Sequence, residues 1–139
     1  ENKIFKIGKA IKLQEGNDVT IVATGHLVWE ALQAAEILNE QGISAEVINI
    51  HTIKPLDDEA ILNSISKTRC IVTAEEHNFL GGLGESVARV LANNNPTPQE
   101  FVATQDTFGE SGTPEQLMQK YGLNASAICK AALKVIDRK

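Results

Sequence analysis

Residues 70–92 read CIVTAEEHNFLGGLGESVARVLA, and this stretch decides the fold of the chain. The apolar run at 70–74 has the composition of a buried strand, and residues 86–92 have the spacing of a helix. Between them, at 75–77, lie two carboxylates and one imidazole, and three glycines follow. Ligands of open α/β sheets usually bind beyond the carboxyl ends of the strands. The stretch is therefore either an active site or a tight passage from strand to helix.

The rest of the chain repeats the pattern of a strand followed by a helix. Strands are predicted at residues 9–13, 19–23, 45–50, 69–74 and 100–103. Helices are predicted at 26–41, at 57–67, from the glycines to about 94, at 113–122 and from 124 onward. Gly42 is placed to end the first helix, and Asp57 and Asn124 are placed to cap the second and the last.

This order of elements predicts a layered fold. Strands joined by helical crossovers favour a parallel sheet with helices on both faces. Residues 9–13 alternate polar and apolar side chains, which is typical of an edge strand with one solvated face. We expect a three-layer α/β/α fold around a mostly parallel sheet of about five strands with an antiparallel edge strand. Residues 1–139 suffice for a single domain, and the absence of a starting Met suggests a piece of a longer chain.

The composition argues against several classes of partner. The formal net charge of -5 disfavours nucleic acid and anionic membrane surfaces. No apolar run approaches the roughly 20 residues that span a bilayer. Cys70 and Cys129 have no partner at metal-ligand spacing, so we expect two buried, reduced thiols in a cytoplasmic protein.

Two glycine-containing segments precede helices and are placed to offer backbone amides to an anion. Neither has the Gly-x-Gly-x-x-Gly spacing of a dinucleotide site, and the Gly-x-x-x-x-Gly-Lys-Ser/Thr pattern is absent. Glycines at such a turn more often permit close packing of a helix on a sheet. The candidate anion or interface site consists of Thr24, Gly25, His26, Glu76 and His77.

An acid–base role for residues 75–77 conflicts with strand geometry. His77 beside two carboxylates has the makings of a proton carrier. Adjacent residues of an extended chain point to opposite faces, however, so Glu75 and Glu76 cannot both face one substrate. His26 and His51 also follow strands, but histidines at strand ends do not by themselves define a metal site. No nucleophile stands out, and the sequence predicts no catalytic residue.

The sequence resembles the C-terminal domain of transketolases and their thiamine-diphosphate-dependent relatives over nearly its whole length. Similar segments are IGKA at 7–10, DVTIVATG at 18–25, IKPLD at 53–57 and residues 75–85. Several of them are shared with 1-deoxyxylulose-5-phosphate synthase and with the beta subunits of 2-oxoacid dehydrogenases. The segment DTFGESGTPEQL at 106–117, continued by KYGL at 120–123, resembles the transketolase tail and favours that branch.

The resemblance implies one domain of a three-domain enzyme that moves a two-carbon ketol unit from a ketose phosphate to an aldose phosphate. Thiamine diphosphate and Mg²⁺ would be held by a diphosphate-binding and a pyrimidine-binding domain, so we expect no cofactor or metal in this one. This domain would pack against the pyrimidine-binding domain and support a homodimer, or a heterotetramer where the enzyme is split between two chains. His26 and Trp29 differ from the commoner single-chain sequences, which favours the split form.

Three alternatives stay open at this point. The chain is placed equally well, apart from its tail, in another thiamine enzyme such as 1-deoxyxylulose-5-phosphate synthase or a 2-oxoacid dehydrogenase. A regulatory module would bind a small anion at residues 24–26 or near His77. A purely structural dimerisation domain would self-associate through an exposed apolar patch.

Overall fold

The structure is a computed structural model that describes residues 9–51, 53, 55–76, 82–103 and 124–139. Five strands and four helices lie within these residues. The strands are β1 (Ile11–Gln14), β2 (Val19–Ala23), β3 (Ala45–Asn49), β4 (Ile71–Glu75) and β5 (Gln99–Ala103). The helices are α1 (Leu27–Glu40), α2 (Asp58–Thr68), α3 (Leu83–Asn94) and α4 (Ala125–Ile136).

The strands form one sheet in the order β1-β3-β2-β4-β5. β2 pairs in parallel with β3 and β4, and β4 pairs in parallel with β5. β1 lies at an edge and pairs antiparallel with β3. β2 and β4 are buried along their whole length, which explains why their sequences are almost continuously apolar. The predicted mostly parallel sheet with an antiparallel edge strand is confirmed.

Helices cover both faces of this sheet and enclose two apolar cores. On one face, α1 and α4 pack against β2, β3 and β4. On the other face, α2 and α3 pack against Val22, Ile48 and Ile71. The predicted apolar stripe of α1 is buried, and its members are Leu27, Ala31, Ala34, Ala35 and Leu38. The three-layer α/β/α arrangement is therefore also confirmed.

The ends of α2 follow local signals in the sequence, with one exception. The Asp57 Oδ1 atom accepts a hydrogen bond from the Ala60 amide at 3.2 Å, as expected of an N-terminal cap. The strand predicted to begin at Arg69 begins instead at Ile71. Arg69 adopts a left-handed backbone, with a φ of 62°, and thereby ends α2. The helix predicted at 113–122 lies outside the described residues.

A buried ion pair ties β3 to α2 beside the edge strand. The Glu46 side chain is 1% exposed, and its Oε1 accepts hydrogen bonds from the Lys67 ammonium at 2.6 Å and the Gly16 amide at 3.1 Å. Burial raises the pKa of the Glu46 carboxyl, but hydrogen bonds from Lys67, Ser64 and Gly16 and the nearby charge of Lys12 together outweigh burial, so the pKa lies below its usual value. The hydrogen bond to Glu46 also raises the pKa of the Lys67 ammonium.

Replacing Lys67 with Met should lower the free energy of unfolding at neutral pH by about 1–3 kcal/mol, because the buried carboxylate loses its charged partner. The folded-state pKa of Glu46 is lowered, so the pair stabilises the wild type above the usual value of 4.5. That stabilisation is lost as the pH falls through the folded-state pKa. In urea denaturation, the difference in the free energy of unfolding between Lys67→Met and the wild type should therefore become smaller as the pH is lowered.

The control for this prediction is Lys12→Met. Lys12 pairs at 3.4 Å with Glu15, and both side chains are exposed. Exposed pairs of this kind contribute little to stability, and Lys12 adds only the weakest of the contributions that lower the pKa of Glu46, so the control should lose much less stability than Lys67→Met. If the difference in the free energy of unfolding between Lys67→Met and the wild type did not change with pH, the stabilisation could not be assigned to the ionised Glu46 carboxylate.

Candidate functional site

The candidate site lies where the parallel strands end. We call this edge the carboxyl rim, and its residues are Thr24, Gly25 and His26 after β2, Ile50 and His51 after β3, and Glu75 and Glu76 at the end of β4. The structure brings together four of the five residues predicted from the sequence, which are Thr24, Gly25, His26 and Glu76. The fifth, His77, lies outside the described residues.

Glu75 holds the start of α3. Its side chain is buried, with the whole residue 1% exposed, on the face of the sheet that α2 and α3 cover. Its Oε1 accepts a hydrogen bond from the Leu83 amide at 2.7 Å, and its Oε2 accepts one from the Gly84 amide at 2.7 Å. These are the first two amides of the helix, which have no partner within the helix itself. A carboxylate placed there is also stabilised by the helix dipole.

Glu76 reaches the helix on the opposite face. Its Oε1 accepts a hydrogen bond from the amide of His26, the N-terminal cap residue of α1, at 3.0 Å. Gly25 makes room for this contact, since a Cβ added there would lie 3.3 Å from the same oxygen. Gly25 also has a φ of +58°, which L side chains rarely adopt. The predicted separation of the two carboxylates to opposite faces is confirmed.

The same arrangement recurs at the other two helices. Asp57 caps α2 and also accepts a hydrogen bond from the Ala10 amide at 2.8 Å. At α4, Asn124 Oδ1 accepts from the Ala127 amide at 2.9 Å, as predicted for a capping residue. Glu30 of α1 adds a second acceptor, for the Ala125 amide at 2.9 Å. Each helix in the part of the chain that the structure describes thus begins against a carboxylate or amide of the chain itself.

Sequence reasoning recognised the caps that lie next to their helices and missed the distant ones. Asp57 and Asn124 precede their helices directly, whereas Glu30 is 95 residues from its partner and Glu76 is 50 residues from His26. The usable signal was a carboxylate at the end of a buried strand followed by a glycine turn. Such a carboxylate is well placed to meet the next helix.

These contacts limit what the carboxyl rim can bind. An anion at the His26, Leu83 or Gly84 amide would have to displace an internal carboxylate. Among the described residues, no group of three or more His, Cys, Asp or Glu side chains is arranged to hold a metal ion.

The two cysteines do not form a reactive site. Both are free and buried, as predicted from their positions in a strand-like run and a helix. Burial raises the pKa of the Cys70 thiol and of the Cys129 thiol. A thiol with a raised pKa is a weak nucleophile at neutral pH. No helix in the described ranges is both long and apolar enough to cross a membrane.

Comparison with known proteins decides the family. A family model for the transketolase C-terminal domain matches residues 8–128. This chain belongs to the transketolase C-terminal domain family. The resemblance read from the sequence segments is thereby confirmed, and the α/β fold agrees with it.

Three similar proteins contain a domain like this transketolase C-terminal domain. The 6-deoxy-6-sulfo-D-fructose transketolase subunit of Clostridium sp. (strain MSTE9) is 52% identical over 139 residues, which is 100% of this chain and 43% of the relative. A solved structure described as a split gene transketolase, inactive beta4 tetramer, is 44% identical with a TM-score of 0.92, covering 96% of this chain and 44% of that chain.

The third is the 1-deoxy-D-xylulose-5-phosphate synthase of Desulforudis audaxviator (strain MP104C). It is 38% identical over 128 residues, which is 91% of this chain and 20% of the relative. The chain thus spans less than half the length of each of these three proteins. The domain is shared between transketolases and the synthases, as expected from the segments that both groups contain.

Within this transketolase C-terminal domain, the two adjacent carboxylates should differ sharply in their effect on stability. Glu75→Ala leaves two buried amides without an acceptor and should lower the free energy of unfolding by roughly 2–4 kcal/mol. Glu76→Ala removes a more exposed side chain together with its capping contact to His26, and it should lower the free energy of unfolding by about 1 kcal/mol. Urea denaturation of both variants under identical conditions tests this order, and equal losses would contradict it.

Proposed function

We propose that this chain is the C-terminal domain of a transketolase, where it supports domain packing and dimer assembly. The complete enzyme would move a two-carbon ketol unit from a ketose phosphate to an aldose phosphate in the cytoplasm. Thiamine diphosphate and Mg²⁺ would be held by its diphosphate-binding and pyrimidine-binding domains. The proposal rests on one observation in a domain of the transketolase family. Glu75 and Glu76 accept the hydrogen bonds of helix-start amides at the carboxyl rim that would otherwise be available to a ligand.

The proposed structural role follows from how few of the described helix N-terminal amides remain unbonded at the carboxyl rim. In open α/β sheets the rim is the usual ligand site because helix N-termini offer unpaired amides there. In this chain those amides are bonded to internal carboxylates. A domain whose amides are already bonded in this way would contribute to an enzyme through contacts of its outer surfaces with other domains. The candidate group Thr24, Gly25, His26, Glu76 and His77 therefore serves, in our proposal, as an interface and not as an anion site.

We further propose that the complete enzyme is divided between two kinds of subunit. Relatives with high identity support this form, since one carries the name of a transketolase subunit and another is described as a split gene transketolase. The partner would be the chain that carries the diphosphate-binding domain. Assembly of two copies of each chain would give a heterotetramer, whereas a single-chain form would give a homodimer.

The competing assignment is the same domain in a 1-deoxyxylulose-5-phosphate synthase. The relative from Desulforudis audaxviator supports it, although at lower identity than the transketolase relatives. The two enzymes differ in the acceptor and in the fate of the donor, so the reaction itself separates them. A transketolase transfers a ketol unit between sugars, whereas the synthase condenses pyruvate with an aldose phosphate.

The assembled enzyme should transfer a ketol unit from xylulose 5-phosphate to an aldose phosphate and should not consume pyruvate. The measurement is product formation by the full-length gene product together with its partner subunit where one is encoded. Pyruvate-dependent synthesis of 1-deoxyxylulose 5-phosphate would instead assign the chain to the synthases. Activity with neither donor would remove the assignment to xylulose 5-phosphate, because a similar subunit is named as a 6-deoxy-6-sulfo-D-fructose transketolase.

The 139-residue chain alone should not bind thiamine diphosphate, with or without Mg²⁺. The physical reason is that the helix N-terminal amides nearest the strand ends already have carboxylate acceptors. Isothermal titration calorimetry with the cofactor and magnesium tests this, with the assembled enzyme as the positive control. Micromolar binding by the isolated chain would contradict the assignment of the cofactor to other domains.

A further inference from the structure

A shallow depression beside the carboxyl rim combines an exposed tryptophan with an uncharged surface. Trp29, on the first turn of α1, is 63% exposed, which makes it the most exposed of the large apolar residues that the structure describes. We call this depression the Trp29 surface, and its lining residues are Gly25, His26, Val28, Trp29, Asn49 and His51.

The chemistry of the Trp29 surface is that of an interface centre. Among the residues that the structure describes, its six lining residues include no Asp, Glu, Lys or Arg, although 22% of the chain is charged. Interface centres are depleted in charge and enriched in aromatic residues, and Trp is the commonest kind of anchor. The indole N–H of Trp29 and the imidazole of His26 can donate hydrogen bonds. A partner that presents apolar side chains and hydrogen-bond acceptors would complement it.

The route of the backbone indicates which partner lies closest. β1 runs antiparallel to β3, and its first residue, Ile11, pairs with Asn49, which lines the Trp29 surface. The amide of Ala10 is bonded to Asp57 at the start of α2. The polypeptide therefore enters the sheet at the carboxyl rim, beside the Trp29 surface. Whatever precedes the domain in a longer chain arrives at this place.

The relatives show how much polypeptide is available to cover it. This chain spans 43% of the Clostridium subunit and 44% of the split-gene transketolase chain, and the family model that it matches is that of a C-terminal domain. More than half of each relative therefore lies outside the matched part. A preceding domain joined at the rim has a high effective concentration there, which favours docking on the nearest apolar surface.

We propose that the Trp29 surface is the docking site for the domain that precedes this one in the full-length protein, with Trp29 as its anchor. This inference rests on the proposed function, because it assumes that the chain is the last domain of a longer transketolase polypeptide. The inference names the residues through which this domain would pack against its neighbour. It excludes the carboxyl rim's own amides from that contact, since internal carboxylates already hold them.

Hydroxyl-radical footprinting with mass spectrometry tests the site without depending on activity. Trp29 is the single tryptophan of the 139-residue chain, so its oxidation is assigned without ambiguity. In the 139-residue chain Trp29 should oxidise rapidly, and in the full-length gene product it should be protected. Ile37, which is 39% exposed on the same helix and outside the depression, serves as the reference and should oxidise similarly in both.

Each other outcome overturns part of the inference. Equal oxidation of Trp29 in the two proteins would show that no domain covers the surface. Protection that rises with the concentration of the 139-residue chain would assign the surface to a second copy instead. Protection of Trp29 in a full-length product without ketol transfer would leave the docking site standing and remove the proposed function, so the two failures are distinguishable.

A matched pair of variants then measures the anchor. A protease site inserted before this domain in the full-length gene product allows the two parts to be separated after they have folded together. Trp29→Ala should weaken their association at least about 30-fold, the effect of losing an interface anchor. Ile37→Ala on the same helix should leave the dissociation constant nearly unchanged. Similar weakening by both variants would contradict the placement of the anchor at Trp29.

Discussion

The structure depends on a pair of adjacent carboxylates at the end of strand β4, which lies between β2 and β5. A strand sends successive side chains to opposite faces, so Glu75 meets the start of α3 and Glu76 meets the start of α1. Burying a carboxylate is unfavourable unless hydrogen-bond donors compensate it, and the Leu83 and Gly84 amides do so for Glu75. Strand β4 thereby fixes where one helix of each layer begins, and the two helical layers keep their positions relative to the sheet.

This constraint separates the fold of the domain from the function that the fold usually serves. The glycines that suggested a phosphate-binding loop have packing roles where the structure describes them. A Cβ at Gly84 would overlap the ring of Phe101 and lie 3.0 Å from Thr73 Oγ1, so glycine there permits α3 to approach the sheet closely. At the end of the sheet that binds ligands in many α/β proteins, the His26, Leu83 and Gly84 amides are bonded to the chain's own carboxylates.

The sequence predicted those features that depend on neighbouring residues and failed where the contact is distant. The central strand β2, the apolar stripe of α1 and the caps Asp57 and Asn124 follow from periodicity and local capping chemistry. The Glu46–Lys67 pair and the contact of Glu30 with α4 depend on how elements pack, which a one-dimensional pattern does not contain. The sequence predicts a strand that begins at Arg69, yet Arg69 occupies the left-handed position that ends α2.

The candidate site also shows that a sequence pattern does not reveal contacts between distant elements. The sequence names Thr24, Gly25, His26 and Glu76 among its candidate site residues, and the structure brings these four together at the carboxyl rim. It could not decide between an anion and an internal contact, since both use the same amide. The distance from the Glu76 carboxylate to the His26 amide, 3.0 Å, indicates the internal contact. Once the chain supplies its own anion at each helix start, the exposed chemistry that remains beside the rim is uncharged and aromatic. Such a surface is suited to protein contact, because interface centres are depleted in charge and enriched in aromatic residues.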